Sequence, residues 1–156
     1  MSTYDEVRYA GHPYPDSHPE RLATMATLAG MRPAPVEGCR VLEIACGDGA
    51  NLIPMASALA GSTFTGFDLA ARPIGEGRRL AGRLGLANLT LDQCDLTQFP
   101  AAAGQFDYII AHGLYSWIPP GIRDALMALI ARHLAPAGVA FVSYNVYPGG
   151  YLRRMV

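Results

Sequence analysis

The densest run of residues able to do chemistry is Val41-Leu-Glu-Ile-Ala-Cys-Gly-Asp-Gly-Ala-Asn51. An apolar stretch carrying Glu43 opens there into a turn with glycine at 47 and 49. Glycines let backbone approach a ligand closely, and the start of a following helix offers unpaired N–H groups. Alone, such a turn is equally the mark of a tight strand-to-helix connection. Asp68 lies 21 residues beyond Gly47, at the end of a second apolar stretch. A carboxylate at that place can accept both hydroxyl protons of a ribose, although the position also suits a helix cap. Asp95, with Asp92 close by, ends a third stretch. Glu43, Asp68 and Asp95 would then share one rim of a sheet, and ligands of open α/β sheets bind outside the carboxyl ends of the strands.

The spacing also restricts the ligand. A dinucleotide turn wants a third glycine where this chain has Leu52, and Asp48 puts negative charge where phosphates would sit. A phosphate-free adenosine compound with a positive centre fits better. S-adenosylmethionine, cationic at its sulfonium and its amino group, is such a ligand; a nicotinamide-dependent oxidoreductase ranks below it.

These residues need elements to position them. Pro13, Pro15 and Pro19 make the beginning of the chain an extended arm. Ser17 and Glu20 read as a capping box opening a helix from about Pro19 to Ala29, and residues 31–38 form a Pro- and Gly-rich linker. Strands are expected at 40–45, 63–68, 89–94, 106–112 and 139–144, with a turn at 135–138 before the last. Helices are expected at about 51–60, from Pro73 to Gly85, and from Gly121 to Leu134. Glycines 75, 77 and 82 weaken the second of these. Strands that are continuous apolar runs alternating with helices imply an α/β, doubly wound Rossmann-like parallel sheet of five strands with helices on both faces. The domain reading is an arm and helix over residues 1–38 and a ligand-binding core over 39–156.

Composition agrees with a folded domain. Of 156 residues, 51% are hydrophobic and 16% charged, and mean hydropathy is +0.17. Twelve basic residues against 13 acidic leave a net charge of −1, which gives no electrostatic case for nucleic acid or an anionic membrane. Every basic residue is arginine, so lysine nucleophiles, Schiff bases and the Lys-dependent phosphate loop are excluded for these residues. Cys39, Cys46 and Cys94 show neither disulfide nor zinc-site spacing, which points to a reducing cytoplasm and no metal. No apolar run reaches the length of a membrane span.

VLEIACGDGAN resembles the glycine-rich motif of class I S-adenosylmethionine-dependent methyltransferases, and TFTGFDLA, LDQCDL and FDYIIAHGLYSWIPP resemble their later motifs in order and spacing. The arm PYPDSHPERLA and the stretch SYNVYPG are similar to bacterial methyltransferases that carry an appended regulatory domain, a group including protein-lysine methyltransferases. The resemblance implies a methyltransferase that uses S-adenosylmethionine, with a protein amine or a small molecule as acceptor. It implies that Glu43, Ala45, Gly47 and Gly49 cradle the methionine portion. Asp68 would hold the ribose hydroxyls, Asp95 with Leu96 would meet the adenine, Ala111 and His112 would lie beside the methyl donor, and Cys46, Asn51 and Leu69 would also border the cofactor. The family usually has glycine where Ala45 stands. It also ordinarily adds two strands after the fifth, so a further C-terminal domain or a partner chain is expected to cover the fifth-strand edge. A non-catalytic S-adenosylmethionine-binding or regulatory module is the alternative.

The acceptor side offers weaker candidates. His112 and Tyr115 are the candidate catalytic residues, with Trp117 as part of an aromatic wall or simply packed on a helix. Tyr9, His12, Tyr14 and His18 form a lid or a surface arm. Cys46 and Cys94 also suit small core positions. His133 reads as a complement to a helix dipole, and Arg78, Arg79 and Arg83 as a solvated helix face.

Overall fold

The computed structural model describes residues 11–146; the readings made for Tyr9 and for the segment after Val146 lie outside the described residues. Five strands form one sheet: β1 (Arg40–Ile44), β2 (Thr63–Asp68), β3 (Leu89–Gln93), β4 (Phe106–Ala111) and β5 (Leu134–Val142). Their order is β3-β2-β1-β4-β5 and every pairing is parallel. The chain winds outward from β1 to β3 and then returns to the other side of β1. A crevice therefore opens between the carboxyl ends of β1 and β4, the switch point expected of a doubly wound sheet.

Among the described residues four helices accompany the sheet: α1 (Pro19–Leu28), α2 (Leu52–Ala58), α3 (Ala71–Arg83) and α4 (Pro120–His133). One face of the sheet packs Val41, Phe64, Leu91 and Tyr108 against Leu22 of α1, Leu52 and Met55 of α2 and Ile74 of α3. The other packs Leu42, Ile44, Phe67 and Ile109 against Leu126, Leu129 and Ile130 of α4. Each such side chain taken from water stabilises the fold by about 1.5–3 kcal/mol. The second face is thinly clad, because β3 is joined to β4 by two short 3-10 turns, Leu96–Gln98 and Ala101–Ala103, and no helix. Phe99 from that connection stacks on Phe67, ring centroids 4.6 Å apart.

Several boundaries differ from the sequence reading, each for a local reason. Pro19 occupies the first turn of α1, which makes His18 the N-cap, its Nδ1 accepting from the Glu20 N–H at 3.3 Å. Ser17 is not the cap but a fully buried residue of a preceding 3-10 turn. The helix α2 stops short of the expected Ala60, and the Asn88 amide donates to the carbonyls of Ala56 (3.0 Å), Leu59 (3.2 Å) and Ser62 (2.9 Å) at its end. The expected turn at 135–138 is present as a bulge inside β5: Leu134 opposes Phe106, Val139 opposes Tyr108, and the residues between loop out. The strand then ends at Val142, short of the expected Tyr144. Gly77 does more than weaken α3. A Cβ there would collide with the Asp48 backbone, so its absence lets helix and turn meet.

Two polar residues hold positions that their sequence context did not convey. Arg78 is not simply solvated; it donates to the Leu91 carbonyl and the Asp92 carboxylate, both at 2.5 Å, and so clamps α3 to β3. His133 is 2% exposed and far from a surface dipole complement. Its Nδ1 lies 2.7 Å from the Gly104 carbonyl, which assigns the proton to that nitrogen. The ring packs between Phe99 and Phe106, at centroid distances of 5.2 and 6.4 Å. His133→Ala therefore removes aromatic packing and orphans a carbonyl, and the expected loss is about 2–4 kcal/mol in a denaturant melt. A loss below about 0.5 kcal/mol, the usual size for a surface change, overturns this assignment.

Candidate functional site at the carboxyl ends of β1, β2 and β4

The turn after β1 is built from three left-handed residues, Ala45 (φ 59°), Gly47 (φ 57°) and Gly49 (φ 74°). Gly49 has a second requirement, since a Cβ there would stand 2.9 Å from Leu91. Ala45 is the one non-glycine residue at positive φ among the described residues, a conformation that costs an L-residue about 1–2 kcal/mol. The turn is closed by the Gly49 N–H donating to the Cys46 carbonyl at 2.9 Å, and the Gly49 carbonyl then accepts from Ile53 to start α2.

Asp68, the last residue of β2, pins this turn. Its two carboxylate oxygens accept from the Gly47 N–H and the Ala70 N–H, each at 2.9 Å. A carboxylate has about four acceptor sites, so each oxygen keeps one for an external donor. Leu69 beside it is 46% exposed and forms an apolar shelf at the rim. Asp95 stands two residues beyond β3, one oxygen accepting from Thr97 N–H (2.8 Å) and Thr97 hydroxyl (2.7 Å). Those bonds hold its carboxyl below the usual carboxylate range. Leu96 opens the 3-10 turn that follows.

Glu43 is the unusual member. It is 4% exposed, and Oε1 accepts from Asn51 Nδ2 at 2.8 Å. Oε2 is buried with no hydrogen-bond partner among the described residues. Burial, opposed by the Asn51 hydrogen bond and assisted by the Asp68 charge, pushes its carboxyl up to about 8. Cys46, also buried, has its thiol pushed well up by burial and by Glu43 and Asp68, which makes it an inert packing group.

Asn51 does not cap its own helix. Besides Glu43, its Nδ2 donates to Ser17 Oγ at 3.0 Å, and its Oδ1 accepts from the Tyr14 N–H at 2.8 Å. The segment 11–17, an irregular stretch ending in the 3-10 turn Pro15–Ser17, is thereby strapped across the glycine turn. Gly11 lies so near that a Cβ would collide with the Asp48 carboxylate and stand 2.6 Å from the Ala50 Cβ. The Tyr14 ring lies on His112, centroids 3.8 Å apart, with Phe141 on β5 at 6.0 Å.

Ala111 is fully buried at the end of β4, and His112 follows it. Burial lowers the imidazole from its ordinary value, with the Asp16 carboxylate acting in the opposite direction, so the ring is neutral at pH 7. Its Nδ1 is buried without a partner among the described residues. Tyr115 is half-buried beneath the Arg123 guanidinium of α4, 5.3 Å from the ring centroid. Trp117 is 65% exposed and so is not packed on a helix. Of the lid candidates, Tyr14 lies on the His112 ring, His18 caps α1 and His12 is exposed. Ser17 was missed as a site residue, although Pro19 as the first helical residue already moved the cap to His18 and freed it.

Two measurements test this geometry. Ala45→Gly relieves the left-handed alanine and, after the added chain entropy of glycine, raises stability by about 1 kcal/mol; a destabilised variant contradicts the strain. For Glu43, the folded chain retains a proton that the unfolded chain has lost between about 4.5 and about 8. Stability thus declines as pH rises through that window. Glu43→Gln flattens the decline in melts at pH 5 and pH 8, and an unchanged slope shows that Glu43 titrates normally.

Comparison with known proteins places this geometry. The chain is 39% identical over 98% of its length to the protein RP789 of Rickettsia prowazekii, covering 28% of that protein. The structure of PKMT2 from Rickettsia typhi in complex with AdoHcy matches with a TM-score of 0.90 and 32% identity, covering 95% of this chain and 28% of that one. A 2-heptyl-1-hydroxyquinolin-4(1H)-one methyltransferase of Mycobacteroides abscessus is 32% identical over 62% of this chain and 41% of that protein. The chain thus spans a little over a quarter of the length of RP789 and PKMT2. The model of the methyltransferase domain family matches residues 41–138, from the first residues of β1 to the bulge of β5. A match across all five strands makes the chain a member of the methyltransferase domain family.

Proposed function

We propose that this domain binds S-adenosylmethionine in the crevice between β1 and β4 and transfers its methyl group to an acceptor approaching over His112. The observation that carries the reading is the buried Glu43 carboxyl with a free Oε2, beside the Asp68-pinned turn. A dry carboxyl resists ionisation until a cation joins it, and the amino group and sulfonium of this cofactor are cations. The AdoHcy bound in the PKMT2 structure is the same compound without its methyl group and supports the choice.

The residues then divide the work. Asp68 has one spare acceptor site on each oxygen for the ribose hydroxyls, and Leu69 and Leu96 offer apolar surface to the adenine, with Asp95 at its edge. The turn at Ala45, Cys46, Gly47 and Gly49 presents backbone to the methionine portion. Bound here, S-adenosylmethionine supplies a methyl group already activated by its sulfonium charge, so alignment of the acceptor can provide much of the rate. Ala111 and His112 border the place where that methyl lies. An amine acceptor must lose a proton, and neutral His112 is the candidate base for it, with Tyr115 the neighbouring aromatic group. The free thiols of Cys39, Cys46 and Cys94 support a reducing, cytoplasmic setting.

Asp68→Ala tests the reading directly. Retention of labelled S-adenosylmethionine is expected to fall at least about 30-fold, which corresponds to roughly 2 kcal/mol. Unchanged retention removes the cradle from consideration. Binding by the unaltered chain is also expected to release a proton near pH 7, because the cofactor cation ionises Glu43. Calorimetry in buffers of different ionisation heat reads that release, and its absence separates Glu43 from the ligand.

A further inference from the structure

We propose that Asn51 is a positioning residue that latches the 11–17 strap to the Glu43 carboxyl, making the strap a gate whose opening sets the rate of cofactor entry and release. The inference rests on the reading of the crevice as the S-adenosylmethionine site.

The amide of Asn51 has no orientational freedom. Its nitrogen must face Glu43, which accepts, and its oxygen must face the Tyr14 N–H, which donates. Both Nδ2 protons are engaged, one by Glu43 and one by Ser17 Oγ, so no donor is left for a ligand. Asn51 is itself 4% exposed. Its part in ligand binding therefore runs through the groups it holds. On one side is an acid with one free buried oxygen, and on the other is the strap. Ser17 reinforces the strap internally, its hydroxyl donating to the Tyr14 carbonyl at 2.9 Å while its N–H donates to the same carbonyl at 3.0 Å.

The strap occupies the approach to the crevice. Gly11 presses on Asp48 and Ala50 of the glycine turn, and the Tyr14 ring covers His112. Two polar atoms at this end of the sheet, Glu43 Oε2 and His112 Nδ1, are buried without partners among the described residues. Unpaired buried polar atoms disfavour the closed arrangement. A ligand that pairs with either therefore favours it, and linkage requires the closed strap to favour the ligand equally. Among the described residues the strap hydrogen-bonds to this end of the sheet through the Asn51 amide, so that amide is where the gate is fastened.

The experiment uses the full chain and two readouts, amide hydrogen exchange at Tyr14 and the dissociation rate of labelled S-adenosylmethionine. Ser17→Ala removes one arm of the latch without touching the crevice. It is expected to speed Tyr14 exchange about 10-fold and cofactor release by a similar factor. Asn51→Ala removes both arms and is expected to have the larger effect, and Ser17→Ala to add nothing to it, because the Ser17 arm ends on the Asn51 amide. Glu43→Gln keeps an oxygen for Asn51 and is expected to leave Tyr14 exchange slow while weakening cofactor binding, which separates the latch from the charge. The proposal is overturned by an unchanged release rate in a variant whose Tyr14 amide exchanges faster, or by additive effects in the double variant. Should Asn51→Ala fail to fold, Ser17→Ala and Glu43→Gln carry the comparison. If the unaltered chain binds no S-adenosylmethionine, the functional reading fails, while the exchange data alone still decide whether the latch exists.

Discussion

A carboxyl group held out of water at the end of a central strand is the constraint around which this site is arranged. Glu43 is flanked by β2 and β4, so no solvent reaches it from either side of β1. One of its oxygens must therefore be met from above, and the residue at the start of α2 meets it. That obligation explains why Asn51 abandons the usual capping role of its side chain. It also brings the chain back over the sheet within a few residues of leaving β1, which demands the run of left-handed backbone at 45, 47 and 49. Asp68 cannot comfortably add a second free charge nearby, and its oxygens are instead directed at backbone N–H groups of the turn and of Ala70.

The two sides of the crevice follow different logic. The proposed cofactor side is made of strand ends and one turn, whose positions are dictated by sheet pairing. The proposed acceptor side is made of the loop after β4, steadied by the Gly113 N–H donating to Ser143 Oγ at 2.8 Å and the Asn145 N–H donating to Ser116 Oγ at 2.7 Å. Trp117, Tyr144 and Val146 stand exposed there, at 65%, 63% and 58%.

Much of the architecture was legible in the sequence because strands buried on both faces must be continuous apolar runs. Thr63–Asp68 and the alternation of strands and helices are found as read, but of the three acids only Asp68 ends its strand: Glu43 lies one residue inside the end of β1 and Asp95 two residues beyond β3. What could not be read was the partnership of polar side chains across long sequence separations. Ser17 looks like a cap because Ser-x-x-Glu is a local pattern, yet its partner is Asn51, 34 residues away. His133 has the position of a dipole complement, and only the fold brings Gly104 and two phenylalanines to it. Arg78 has two arginine neighbours of similar appearance, and the carbonyl of Leu91 singles it out. The bulge in β5 was visible as a turn, but whether a turn interrupts a strand or precedes it depends on the neighbouring strand's register.

The missing helix between β3 and β4 leaves the molecule with an uneven skin. Across most of the sheet a cylinder of packed side chains separates the strands from water. Over Phe67 that shield is a single stacked ring, carried by a connection without long-range backbone ladders. Such a patch breathes more readily than its surroundings. It is also where additional chain can be accommodated without disturbing the carboxyl ends of β1 and β2, so this fold can vary there in length while the glycine turn stays put.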